Sequence, residues 1–292
     1  MKKNNEEKSF SNVRIAWYPG HMAKTKREIK EKLNLIDIVY EVVDARMPKS
    51  SKIDDIDDII KDKPRVIIMT KYDLCDQMET NKFIKYYEDL GYFVVCINLL
   101  ADKVNKILDI STDIMKEENE KRIAKGMKER PLRALVIGVP NAGKSTLINR
   151  LVSKKSVNVG NTPGVTKNIS WIRINKDLEL LDTPGILWPD FSDQERAHIL
   201  ASLSSIKEEI LDKSAIAVFI LKKLYEYYPN NLKDRYGIDH LTEDMVEEFE
   251  LIGKKRGLIG AGGVVDYDKV ATVIINDLKS GKLGKVTLDR MN

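Results

Sequence analysis

The chain has 292 residues, 42% hydrophobic and 32% charged, enough for one large globular domain plus a smaller one. Its formal charge of +4 suits a nucleic-acid partner without requiring one, and its two cysteines, Cys75 and Cys96, lack the spacing of a zinc site or disulfide framework. The longest apolar run, Ala215 to Leu221, is too short to span a bilayer, and the polar start with Glu6 and Glu7 matches neither a secretory signal nor a transit peptide, so a cytoplasmic protein with no membrane segment is expected.

Residues 1–12 read as a polar tail. Helical periodicity over Met22 to Leu35 is followed by β-branched runs at Ile36 to Val43 and Val66 to Met69, a helix over Glu79 to Leu90 and a strand over Tyr92 to Ile97. A helix over Val104 to Lys125, a strand over Leu132 to Ile137 and a helix over Lys144 to Val152 come next. Ile169 to Ile174 and Leu178 to Leu181 then flank a turn at Asn175 and Lys176 as a hairpin. Short strands alternating with helices predict an α/β domain with a mainly parallel sheet over 13–190. Beyond Pro189 the pattern is helical only: Asp193 to Leu211, Ala215 to Tyr228, Thr242 to Ile252 and Asp266 to Lys279. Thr242 and Asp266 read as N-caps and Gly253 and Gly281 as stops, which makes 191–292 an all-helical C-terminal domain.

Gly138-Val139-Pro140-Asn141-Ala142-Gly143-Lys144-Ser145 satisfies the pattern G-x-x-x-x-G-K-S between a predicted strand and a predicted helix, which is the context a phosphate-binding loop requires. Its backbone N–H groups, with Thr146 behind them, would wrap the phosphates. Lys144 would neutralise β/γ charge and Ser145 would hold Mg²⁺. Downstream, Asp182-Thr183-Pro184-Gly185 closes a hydrophobic strand, where Asp182 can reach the Mg²⁺ shell and Gly185 can turn to face the γ-phosphate. Upstream, Thr70-Lys71-Tyr72-Asp73 follows a strand and resembles the N/T-K-x-D element with which GTPases read guanine. The Asp73 carboxylate can accept from N1–H and the exocyclic amine, while the Lys71 stem covers the ring. In the common GTPase order the phosphate loop comes first and the base-reading element last; here the order is reversed.

With this order, with Trp17-Tyr18-Pro19-Gly20-His21-Met22-Ala23-Lys24 near the start, with Pro163-Gly164-Val165-Thr166, and with Gly253-Lys254-Lys255-Arg256-Gly257 in the tail, the chain resembles the circularly permuted GTPases. Within them it is similar to the ribosome biogenesis GTPase A group over nearly its whole length. The resemblance implies a circularly permuted P-loop GTPase domain followed by a helical domain. It implies a GTP-hydrolysing switch that uses GTP/GDP and Mg²⁺ and acts as a monomeric, late assembly factor on the large ribosomal subunit precursor and its rRNA, with the particle stimulating hydrolysis. An RNA-binding scaffold with nucleotide as a structural ligand, or a GTPase acting on another RNA-related target, are the alternatives.

By position, Thr166 would join Ser145 on Mg²⁺ as the switch threonine, with Thr162 in the same loop as a rival. Asn98 would support the base, although Leu99 replaces the small residue that usually follows it. Ile186 stands where a Ras-like enzyme places its water-positioning glutamine, which leaves that task to His21, or His21 caps or packs the first helix instead. Asn141 matches the position that ligates K⁺ in related GTPases, or it satisfies N–H groups at the helix entry. Lys254, Lys255, Arg256, Lys279, Lys282, Lys285 and Arg290 are candidate rRNA phosphate contacts, against the acidic run Glu243 to Glu250.

Overall fold

The structure is a computed structural model that describes residues 15, 21–53, 56–60, 63–128, 130–152, 170–184, 193–206 and 211–291. Its framework is a six-stranded sheet in the order β3-β2-β1-β4-β6-β5, formed by β1 (Ile38–Asp44), β2 (Arg65–Thr70), β3 (Phe93–Ile97), β4 (Leu132–Ile137), β5 (Ser170–Arg173) and β6 (Leu178–Asp182). All pairings are parallel except β5 with β6, the edge hairpin turning at Asn175. Every residue of β1 and of β2 is buried, including Glu41, Arg65 and Asp44. That is the burial of strands covered on both faces, and it explains why these runs are mostly apolar rather than alternating, their buried charges Glu41 and Arg65 being paired with each other.

The helices of this half are α1 (His21–Lys32), α2 (Asp57–Ile60), α3 (Gln77–Asp89), α4 (Asn105–Ala124) and α5 (Lys144–Leu151). After the sheet come α6 (Gln194–Ser202), α7 (Lys213–Tyr227), α8 (Pro229–Tyr236), α9 (Val246–Arg256) and α10 (Tyr267–Lys279). Caps define several starts: carboxylates of Asp76, Asp193, Asp212 and Asp266 accept N–H groups in the first turns of α3, α6, α7 and α10. Each such cap stabilises its helix by about 1 kcal/mol.

Several sequence expectations need correcting. The helix expected over Asp193 to Leu211 ends at Ser202, because Ser204 takes a positive φ of 58° that breaks the ladder. α8 was not anticipated, although Pro229 at its first turn and Gly237 in the left-handed conformation just past its end are ordinary start and stop signals. Thr242 does not cap α9; its N–H and hydroxyl are held by the buried Glu248 carboxylate, and the helix begins at Val246. Gly253 lies inside α9 rather than ending it. A Cβ there would stand 2.2 Å from Val265 Cγ1, so the glycine serves a close approach between chain segments. Gly257 (φ +66°) is the stop, and Lys254 to Arg256 form the last turn of α9 rather than a loop.

The helical half does not stand apart from the sheet. Arg196 of α6 donates from Nε to Ser50 O at 3.1 Å and from Nη2 to Lys52 O. The tail after α10 lies across the α/β half: Asp289, buried, accepts the N–H groups of Lys49 and Ser50 at 2.7 Å each. No helix among the described residues is long and apolar enough to cross a membrane.

Candidate functional site

The parallel strands β4 and β6 run side by side, with Val136 opposite Asp182, and both end at the loop 138–143. That loop begins with Gly138, where a Cβ would lie 2.4 Å from the carbonyl oxygen of Val42 on the neighbouring β1. The first glycine of the motif is therefore dictated by the strand beside it. The loop closes with Gly143 (φ +107°), the N-cap of α5, wedged against Leu99 and Thr70. Lys144 is buried, and its Nζ donates to Gly138 O at 2.9 Å and Val139 O at 3.2 Å. Burial pushes the Lys144 ammonium down to about 8, opposed by the Asp182 carboxylate. Ser145 and Thr146 follow in the first turn of α5, half-buried, while Asp182 is buried at the end of β6. Next to it Thr183 donates its hydroxyl to Val136 O at 2.8 Å, which ties the end of β6 to β4. A cradle that only glycine fits, at a helix N-terminus bearing a lysine, suits a polyphosphate, and the hydroxyl and carboxylate oxygens of Ser145 and Asp182 are hard donors that suit Mg²⁺.

The base-reading element packs directly against this loop. Thr70, fully buried at the end of β2, donates from Oγ1 to Ala142 O at 2.5 Å and contacts Val43 O at 3.1 Å. Lys71 takes a positive φ of 56° and its Nζ donates to Asn141 O at 2.8 Å and to Asp44 Oδ2 at 2.7 Å. Burial pushes the Lys71 ammonium down, and Asp44 opposes it. Asp73 is half-buried, and its carboxylate makes no hydrogen bond or ion pair among the described residues, so both oxygens can accept from a base. Thr70, Lys71, Ala142 and Asn141 are thus one bonded cluster, although sequence places the two motifs about seventy residues apart. Asn98, the residue expected to support the base, is the corner of a turn: its Oδ1 accepts Leu100 N–H at 2.8 Å and its own N–H donates to Asp102 Oδ2 at 2.7 Å. The following Leu99 is the residue that reaches Gly143.

Asn141 (φ +60°) donates from Nδ2 to Ser204 O at 2.6 Å, and Ser205 Oγ donates to Pro140 O at 2.9 Å. The segment after α6 is therefore bonded to the phosphate loop, a contact the sequence did not announce. His21 opens α1, and its side chain lies outside the described residues, as do Thr162, Thr166, Gly185 and Ile186. Three of the seven tail cations expected on RNA lie near carboxylates of the protein itself. Lys254 lies 3.0 Å from Glu250, while Arg256 and Lys282 each lie 3.9 Å from the buried Asp277. Asp44 and Arg46 were not among the expected site residues; the only local signal is a pair of opposite charges two residues apart at the end of a mostly apolar strand that also carries Glu41.

Two family models match, described as 50S ribosome-binding GTPase over residues 133–255 and RsgA GTPase over residues 59–192. Ribosome biogenesis GTPase A of Priestia megaterium is 46% identical over 94% of this chain and 96% of its own length. The protein of the same name from Thermotoga maritima is 31% identical over 94% of both. Among solved structures, GNP-bound YlqF from T. maritima aligns with a TM-score of 0.63 at 28% identity over 91% of this chain and 98% of its own. A GDP-bound YlqF gives 0.65, also at 28%, over 90% and 99%. With the permuted motif order, the sheet topology and the shared length, the chain belongs to the ribosome biogenesis GTPase A family of circularly permuted GTPases and hydrolyses GTP.

Proposed function

We propose that this GTPase is a switch in maturation of the large ribosomal subunit, held on pre-ribosomal RNA in its GTP form and released after hydrolysis. The observation that carries the reading is the bonded cluster of phosphate loop and base-reading loop in a chain whose relatives are named for ribosome biogenesis. The match to a 50S ribosome-binding GTPase model supports the large subunit as the partner. In this reading Asp73 accepts from guanine and Lys71 covers the ring. Pro140, Asn141, Ala142, Gly143 and Thr146 line the phosphates, and Lys144 turns its ammonium from the loop carbonyls to the β/γ oxygens. Ser145 and Asp182, joined by Thr166, would hold Mg²⁺, which when bound neutralises charge developing on the phosphoryl oxygens. Gly185 contributes a backbone N–H to the γ-phosphate, and release of Thr166 and Gly185 after hydrolysis frees the helical part, 191–292, to reposition.

Ile186 offers no polar side-chain atom, so water would be positioned by His21 once the partner docks, and Asn141 would hold K⁺, which when bound would add positive charge. The Nδ2 bond to Ser204 O supports this assignment, because it turns the amide and so fixes where the oxygen points. The protein acts as a cytoplasmic monomer. Hydrolysis by the isolated protein is expected on the order of 10⁻³ per second or slower, as for Ras-like enzymes without an activator. Purified large subunits should accelerate it, with small subunits as the control, and equal rates with either particle would reject the reading. Lys144→Ala should abolish nucleotide binding and assembly activity together. Retention of assembly activity without nucleotide would favour the scaffold alternative.

A further inference from the structure

The loop that carries Lys71 and Asp73 is braced by the far end of the chain. Asp44, the last residue of β1, is fully buried, and its carboxylate is shared by two cations. Lys71 Nζ lies 2.7 Å from Oδ2, and Arg46 forks the same group with Nη2 at 2.9 Å from Oδ2 and Nε at 3.0 Å from Oδ1. The Arg46 backbone N–H adds a second donor to Oδ1 at 3.1 Å. Burial pushes the Asp44 carboxyl up, but Arg46 and Lys71 outweigh it and hold it well below the usual carboxylate range. The remaining guanidinium nitrogen, Nη1, donates to Leu278 O at 3.3 Å and Lys279 O at 3.1 Å, carbonyls in the last turn of α10. Leu278 O also accepts the Gly281 N–H at 3.2 Å, and both carbonyls lie at the negative end of the helix dipole, so a cation there is favoured.

The chain beyond α10 closes on the same loop. Val286 N–H donates to Leu74 O at 3.2 Å, Leu288 N–H donates to Arg46 O at 2.7 Å, and Gly281 approaches so closely that a Cβ would meet Leu74 Cδ2 at 2.9 Å. A lysine ammonium is a point charge on a flexible stem, and it is held at one place only by fixed acceptors. For Lys71 these are Asn141 O and Asp44 Oδ2. Asp44 in turn is held by Arg46, which is 2% exposed with the end of α10 docked on its Nη1. Withdrawal of the α10 end would trade two fixed acceptors of Nη1 for water and loosen the fork on Asp44, which couples the ion triad to the docking of α10.

We propose that Arg46 is a positioning residue for guanine reading, through which docking of the α10 end fixes Lys71 and Asp73. The proposal rests on the reading of Thr70 to Asp73 as the guanine element. Binding of the base, in GDP as much as in GTP, then secures α10 and the tail, and coupling runs equally in both directions. This route is separate from the γ-phosphate route through Asp182.

The wild-type full-length chain supplies the first test, amide hydrogen exchange over 277–288 with GDP and with inorganic pyrophosphate. GDP should slow exchange there, whereas pyrophosphate, which fills the phosphate loop without a base, should not; equal protection by the two overturns the proposal. The second test is Arg46→Lys, which keeps the charge and loses the fork. Its affinity for GDP should fall about tenfold, the size expected for a lost charge-assisted bond, and its preference for GDP over IDP, which lacks the 2-amino group, should shrink. Phe249→Leu, a core change in α9, should lower stability and leave that preference alone, which separates positioning from general loosening. An unchanged GDP-to-IDP ratio in Arg46→Lys overturns the proposal. Asp73→Asn is the remaining arm, expected to turn preference from guanine to xanthine. If it does not, the guanine reading itself fails; if it does while Arg46→Lys is silent, only the Arg46 assignment falls.

Discussion

Gly138→Ala should damage this protein more than its place in a flexible-looking motif suggests. A Cβ at that position would lie 2.4 Å from Val42 O and 3.3 Å from both Val42 C and Cβ, against a floor of 3.0 Å for real contacts. Relief therefore needs a displacement of about 0.6 Å by the difference of those two figures. What must move is the backbone of β1, a central strand paired on one side to β2 and on the other to β4. Overpacking against backbone in a close-packed interior costs about 2–3 kcal/mol. The φ of +156°, which residues with a Cβ seldom adopt, adds about 1 kcal/mol. The sum, about 3–4 kcal/mol, is a large part of the 5–15 kcal/mol typical of a folded domain. Urea denaturation of the nucleotide-free protein measures it directly, with GDP affinity by fluorescence titration as the second readout. Gly143→Ala is the comparison: its φ of +107° carries backbone strain of its own, but its Cβ would meet only side-chain atoms of Leu99 and Thr70 at 3.3 Å or more and no backbone. If Gly138→Ala is destabilised by less than about 1 kcal/mol, or by less than Gly143→Ala, the attribution of this glycine to β1 is wrong.

Asp277, buried in α10, accepts from Arg235 Nε at 2.8 Å and Tyr236 Oη at 3.1 Å, with Arg256 and Lys282 3.9 Å away. Asp277→Ala should cost about 3 kcal/mol in chemical denaturation, because it leaves cations without their counter-charge. Burial pushes the Cys75 thiol up to about 11 and the Cys96 thiol up to about 12. At pH 8 about one Cys75 thiol in a thousand is ionised, so labelling by a disulfide reagent should run orders of magnitude slower than with glutathione and rise about tenfold per pH unit up to pH 10. Asn141→Ala removes the bond to Ser204 O, and its GTPase rate should respond less than wild type's to replacing Na⁺ with K⁺.

Much of the sheet was legible because its signals are local. The runs around Val39, Ile67 and Val136 are too apolar for any surface, and the motif from Gly138 to Ser145 demands a strand before it and a helix after it. What escaped was decided by contacts distant in sequence. Gly253 looked like a stop because a glycine near the end of a periodic run usually is one; it is set by Val265 twelve residues on. The charge pair at Asp44 and Arg46 does not reveal its role locally, since that depends on Lys71 and on carbonyls more than two hundred positions away.

The permuted order has a mechanical consequence that the contacts extend. Placing the base-reading strand early and β6 last sends the chain from Asp182 toward the helices, so one connection to them runs through the γ-phosphate side of the site. A hinge at that single crossing would leave the helices free to swing. The helices instead return at separate points: Ser204 and Ser205 on the phosphate loop, Arg196 on the segment 50–52, and the α10 end with its tail on Arg46 and Leu74. Each return is a small set of hydrogen bonds, individually about 1 kcal/mol, and none can be stretched gradually because hydrogen bonds weaken steeply with geometry. Repositioning of the helices must then be a discrete event in which several returns break together. A change at one nucleotide contact is thereby felt at the others, which is the bistability a switch requires.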